Sequence, residues 1–118
     1  MRFAGYAVRW DRVDRAGDVF RAGAFADGEV ALLWQHHGPP VGRATVTSDE
    51  AGLRLCGEVT DEKIARSVRC GLLEGLSVGY RPRVVQQGAW REIIAADLVE
   101  VSLVAQPMQP GARITTKE

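Results

Sequence analysis

The chain alternates short apolar runs with glycine, proline and acidic clusters, a rhythm that predicts strands more than helices. Residues 2–10 carry strand formers and end at Trp10. Residues 11–29 hold Asp11, Asp14, Gly17, Asp18, Gly23, Asp27 and Gly28, which is loop chemistry. Val30 to Gln35 is a near-continuous apolar run, as expected of a strand buried on both faces, and His36-His37-Gly38-Pro39-Pro40 ends it. Residues 41–47 and 53–59 flank Ser48-Asp49-Glu50-Ala51-Gly52 and predict an antiparallel hairpin with a longer loop. In its second strand Leu53, Leu55 and Val59 share one face, and Arg54, Cys56 and Glu58 the other.

Thr60 then has the side chain of a helix N-cap, with Asp61 and Glu62 suited to the positive end of the helix dipole. Ile64, Val68 and Leu72 follow at helical spacing, and Gly71 or Gly75 can stop the helix. Residues 76–85 and 89–95 predict a second hairpin around Gln86-Gln87-Gly88, and Asp97 to Ala105 a last strand. Pro107, Pro110 and Gly111 break the pattern, and the tail is polar. About seven strands and one flanking helix result, a mainly β chain at the spacing of a closed or nearly closed β-barrel.

Size and charge narrow the function. With 118 residues, the chain is expected to be one domain, residues 1–118, large enough for a core. Fifteen basic residues balance fifteen acidic ones, which argues against a generic nucleic-acid binder. No apolar run reaches the ~18 residues of a membrane span, and Met1-Arg2-Phe3-Ala4-Gly5 lacks a signal-peptide core. Cys56 and Cys70 fit a reduced cytoplasmic pair better than a disulfide. A zinc site with His36 and His37 is disfavoured, because neighbouring strand residues point to opposite faces and the spacings match no common motif.

Polar residues inside apolar runs are where chemistry could sit, since a buried polar group needs a partner. In Leu76-Ser77-Val78-Gly79-Tyr80, strand parity puts Ser77 and Gly79 on one face, small and open to an approaching group. A plain packing role for a serine beside a glycine is the more ordinary explanation of these residues alone. In Asp97 to Ala105, Val99, Val101, Leu103 and Ala105 share an apolar face, and Leu98, Glu100 and Ser102 the other. Glu100, mid-strand between valines, is by itself more simply a solvent-facing charge; the alternative is the group that orients an imidazole. His36 shares parity with Leu32 and Trp34, and His37 with Leu33 and Gln35, so a nucleophilic site would use one of the two.

Several of these segments together resemble a known family. Gly5-Tyr6-Ala7 and Gly17-Asp18-Val19-Phe20-Arg21-Ala22-Gly23-Ala24-Phe25 look like the opening signature of the HK97-type prohead (procapsid maturation) serine proteases of tailed bacteriophages. Leu32-Leu33-Trp34-Gln35-His36 with Val41-Gly42-Arg43 resembles their histidine motif, and Gly75-Leu76-Ser77-Val78-Gly79-Tyr80 their serine motif. Asp97 to Val104 and Pro107 to Arg113 resemble their closing segment. These matches run in order along nearly the whole chain. Departures lie at His37, where the family usually has an acidic or amide residue, and after Arg113, where many relatives carry a longer, removable tail.

The resemblance implies a herpesvirus-assemblin-like β-barrel and a serine endopeptidase without cofactor or metal. By position Ser77 would be the nucleophile, His36 its general base and Glu100 the third member, with Asp97 as the fallback. It further implies major capsid protein and scaffold segments as substrates, inside a procapsid assembling in the bacterial cytoplasm, encoded by a phage, prophage or gene transfer agent. Self-cleavage and a homo-oligomer are compatible with it; a membrane or nucleic-acid partner is not expected. Two rivals come from other classes: a non-catalytic β-barrel structural or assembly protein, and a small-molecule hydrolase, which would need a deep apolar pocket.

Overall fold

A computed structural model describes all 118 residues. Eight strands and one helix follow in the order β1 (Arg2–Arg9), β2 (Asp18–Phe20), β3 (Gly28–Trp34), β4 (His37–Ser48), β5 (Gly52–Val59), α1 (Glu62–Arg69), β6 (Gly75–Gln87), β7 (Arg91–Val104) and β8 (Ile114–Lys117). The sheet runs β2-β7-β3-β4-β5-β1-β8, and β6 also pairs with β7. The β3–β4, β4–β5, β5–β1 and β6–β7 pairs are antiparallel, whereas β2 and β3 lie parallel to β7.

The sheet curls until its two sides meet. The segment just before β8 lies between β1 and the start of β6: the Tyr6 amide donates to the Arg113 carbonyl (3.1 Å), and the Leu76 and Ile114 amides donate to Ala112 and Glu74 carbonyls (both 2.9 Å). Gly5 permits this approach, because a Cβ there would lie 2.2 Å from the Arg113 oxygen. The result is the mainly β, nearly closed barrel that the strand spacing predicts. Its interior is one apolar cluster that includes Phe3, Leu32, Leu53, Leu55, Leu76, Val101 and Leu103.

The strand inventory differs from the sequence expectation in three places. The runs 89–95 and 97–105 are one continuous strand, β7. Asp18–Phe20, in the loop-like stretch, forms β2 because its backbone pairs with Arg91–Ile93 of that strand. The polar tail forms β8, in which Ile114, Thr116 and Lys117 pair with Gly5, Ala4 and Phe3 of β1 at the sheet edge. A three-residue strand and an edge strand carry little hydrophobic periodicity, so partner backbones, not their own side chains, define them.

Bulges explain the largest correction. Gly79 pairs with Glu100 but Tyr80 pairs with Leu98, so Val99 is an extra residue on β7. A second extra residue, Ile94, follows from the pairs Val84–Ala95 and Val85–Ile93. Each bulge resets the alternation of faces. The inward positions of β7 are therefore Leu103, Val101, Leu98, Ala96 and Ile93. Val99, expected in the core with Val101 and Leu103, is 51% exposed. Ala105 lies beyond the strand and is also exposed.

Smaller shifts affect the helix and β3. The N-cap is Asp61, whose carboxylate accepts from the Lys63 and Ile64 amides (3.0 and 3.1 Å), while the Thr60 hydroxyl donates to the Val41 carbonyl instead. Ala65 and Val68 are buried and Ile64 packs at the edge of the core. Leu72 is 68% exposed, because the helix ends before Gly71, which sits at φ 84°. Strand β3 ends at Trp34 and alternates, with Val30 and Leu32 buried and Trp34 exposed, so it is not covered on both faces. Cys56 and Cys70 are free and exposed.

The bulge has a direct thermodynamic consequence. Leu103→Ala should destabilise the fold by about 2–5 kcal/mol, the range for a large-to-small change in a packed core. Val99→Ala should stay within about 0.5 kcal/mol of wild type, as a surface change does. Urea denaturation of the two variants measures both; equal losses would place Val99 in the core.

Candidate active site

The chemistry-bearing residues meet on the outer face of β6 and β7. Leu76 and Leu103 pair across the two strands and point into the core. One residue further, Ser77 pairs with Ser102, and two beyond that Gly79 pairs with Glu100. Side chains alternate across a strand, so these face away from the core.

Glu100 lies against β6 at a position that has no side chain. A Cβ built on Gly79 would sit 2.3 Å from Glu100 Oε1. The glycine is thus required by the carboxylate of its cross-strand neighbour. Only 12% of the Glu100 side chain is exposed, and both its oxygens are engaged. Oε2 accepts from the Ser102 hydroxyl at 2.8 Å, and Oε1 lies 2.5 Å from His36 Nδ1.

His36 reaches this carboxylate from a strained turn. Gln35 and His36 join β3 to β4, with Trp34 paired to His37, and their φ angles are 50° and 59°. Positive φ at both central residues is the requirement of the tightest hairpin turns, usually met by Asn-Gly. A non-glycine residue there costs on the order of 1–3 kcal/mol and persists only where the surroundings hold it. Two bonds hold this one: the Gln35 amide donates to the Leu103 carbonyl (3.1 Å), and the His36 amide donates to Ser102 Oγ (2.8 Å). Parallel pairing of Leu32, Leu33 and Trp34 with Val101, Ser102 and Leu103 sets the turn beside them.

A carboxylate oxygen can only accept, so the Glu100 contact places the imidazole hydrogen on Nδ1 and leaves the Nε2 lone pair free. His36 is 43% exposed at its side chain and lines a cavity of about 190 Å3 together with Ser77. The Ser77 hydroxyl and the His36 ring share this cavity without a direct hydrogen bond between them. The structure therefore brings Ser77, His36 and Glu100 to one place. It leaves out His37, exposed at the start of β4, and Asp97, exposed and paired with Arg83 at 3.0 Å.

A family model described as caudovirus prohead serine protease matches residues 1–118. The chain belongs to that family. No curated protein sequence matches it. Among solved structures it is similar to the KSHV protease in complex with a hexapeptide phosphonate inhibitor, with a TM-score of 0.65 and 12% identity over 99% of this chain and 64% of that one. The chain thus spans less than two thirds of the herpesvirus protease. At this identity the likeness shows the shared fold, an assemblin-like barrel.

Sequence reasoning missed the part that Ser102 plays in this prohead protease chain. Fully buried, it donates to Glu100 and accepts from the His36 amide, so one hydroxyl ties the carboxylate to the histidine turn. The available signal was its i+2 spacing from Glu100, which puts both on one face. The cavity wall holds a second polar group: the Tyr80 hydroxyl donates to Asp18 Oδ2 (3.0 Å), and Arg91 Nη1 lies 3.3 Å from the same oxygen. Burial, and then the Asp18 bond, push the Tyr80 phenol up to about 12.

Two measurements probe these contacts. Gly79→Ala should fold, since φ at 79 is outside the left-handed region, but its methyl should displace Glu100 from His36. The nitrogen chemical shifts of the His36 ring should then lose the strong preference for the Nδ1-protonated tautomer. The second concerns alkaline pH. Because the folded-state value of Tyr80 is raised, its contribution to stability is complete below the ordinary tyrosine value of 10.0 and is lost as pH rises toward about 12. Tyr80→Phe should flatten that part of the alkaline unfolding curve relative to wild type; an identical slope would show that Tyr80 ionises as in the unfolded chain.

Proposed function

We propose that this chain is a serine endopeptidase of procapsid maturation in which Ser77 is the nucleophile, His36 the general base and Glu100 the carboxylate that orients the base. The observation that carries the reading is the His36 Nδ1–Glu100 contact beside a cavity that His36 shares with Ser77. With Nδ1 protonated against Glu100, Nε2 is free to take the Ser77 proton as Oγ attacks a peptide carbonyl. The proton then passes to the leaving amine, an acyl group remains on Ser77, and water releases it by the same route in reverse. Glu100 stabilises the imidazolium formed in each step. Catalytic hydrogen bonds are often completed only when substrate closes the site, which accounts for a Ser77 hydroxyl not yet bonded to the ring.

Family membership supports the substrate class. A prohead protease would cut capsid-protein and scaffold segments within the assembling procapsid, with residues 1–118 acting as one protease domain. Self-cleavage and self-association belong to the same reading. A peptide phosphonate, the inhibitor class bound to the similar KSHV protease, should then modify Ser77. The solvent-exposed, engaged position of Asp97 favours Glu100 as third member.

The test is cleavage of the neighbouring capsid and scaffold proteins, followed by gel and mass spectrometry. Ser77→Ala should abolish it with the melting temperature nearly unchanged. Glu100→Gln should fold and lose most, not all, of the activity, orders of magnitude in a role of this kind. Asp97→Asn should stay close to wild type. Equal cleavage by Ser77→Ala and wild type would end the serine-protease reading, and an inactive Asp97→Asn with an active Glu100→Gln would transfer the third role.

A further inference from the structure

The partly open cavity that Ser77 and His36 line has mostly apolar walls, among them Ala7, Val8, Phe20, Leu76 and Val78. Tyr80, three residues beyond Ser77 on β6, packs its ring edge-on against Phe20 (centroids 5.0 Å apart) and carries the wall to Asp18. Two carboxylates, Asp14 and Asp18, belong to the lining, and no lysine or arginine does.

The two carboxylates are not equivalent. Asp18 is 6% exposed and already answered by the Tyr80 hydroxyl and by Arg91. Asp14 accepts from the Ala16 and Asp18 amides, both on Oδ1 at 2.9 Å, and has no basic side chain within salt-bridge distance. Its charge in the pocket is therefore not cancelled by the protein. Burial raises its carboxyl above the ordinary aspartate value, and an incoming cation would relieve that cost.

A pocket with apolar walls and one unanswered carboxylate complements a side chain with an apolar stem and a cationic head. We infer that this cavity receives the side chain on the acyl side of the scissile bond and selects lysine or arginine there, with Asp14 as the specificity-determining carboxylate. The inference rests on the proposed role of Ser77, because the acyl half of the substrate is the half bonded to that oxygen. The walls accept the methylenes, and Asp14 meets the ammonium or guanidinium. An acidic residue would meet like charge, and a neutral residue of the same length would leave Asp14 without a partner.

Matched peptides that differ only in lysine, arginine, norleucine, leucine or glutamate before the scissile bond test this. Wild type should cleave the lysine or arginine peptide at least about tenfold faster than the norleucine peptide, a difference worth ~1.4 kcal/mol. Asp14→Asn should bring that ratio close to one, by slowing cleavage of the lysine and arginine peptides relative to the norleucine peptide. Ser77-dependent cleavage with norleucine or leucine equal to lysine, or a ratio unchanged in Asp14→Asn, would overturn the pocket assignment and leave the protease reading standing. Binding gives a readout independent of turnover. Ser77→Ala should bind the lysine peptide more tightly than the norleucine peptide, and Ser77→Ala with Asp14→Asn should not. No cleavage of any peptide or capsid substrate, combined with that binding difference, would remove the catalytic reading but keep the cationic pocket. Equal binding of both peptides would remove the pocket.

Discussion

A glutamate pressed against a glycine organises the outer face of this barrel. Glu100 can lie flat on β6 only because Gly79, its cross-strand partner, has no side chain. In that position the carboxylate is nearly buried, and a nearly buried carboxylate must have both oxygens satisfied. Ser102 satisfies one and His36 the other. Removing space at 79, charge at 100 or the hydroxyl at 102 would each leave the remaining groups mispaired.

The same strand supplies both the core and the site. Inward residues of β7 pack with β3 and β6, and its outward residues hold the histidine turn. Parallel pairing with β3 delivers that turn beside Ser102, and antiparallel pairing with β6 delivers Ser77 opposite the same residue. The positive φ angles at Gln35 and His36 are tolerable because these pairings and two hydrogen bonds fix the turn from both sides. A reactive group on a rigid, packed strand keeps its geometry better than one on a free loop.

Ser77 and His36 border an apolar pocket that is edged by a polar network. Tyr80 serves both regions: its ring closes the wall with Phe20, and its hydroxyl answers Asp18. The network also anchors β2, a strand of only three residues, beside β7. The wall of the pocket and the attachment of a weak edge element thus share the same contacts.

Much of this was legible in the order of residues. Apolar runs and turn residues mark most strands, the antiparallel hairpin of β4 and β5, and the helix, because burial of a face leaves a period that can be read locally. The motif around Ser77 and the acidic position 100 stand out for the same reason, as polar residues within apolar runs. The bulge at Val99, the joining of two runs into β7, and the existence of β2 and β8 were not legible, since each depends on which backbone lies alongside. His36 shows the division most clearly. Parity assigned it to a strand face with Leu32 and Trp34, but it stands in a left-handed turn, and its partner is 64 residues away. The sequence by itself determined a β-barrel with a serine, a histidine and a glutamate in suggestive places. Their meeting, and the part of Ser102 in it, was decided only by tertiary structure, because strand register and close approach are properties of pairs of segments and no single segment encodes them.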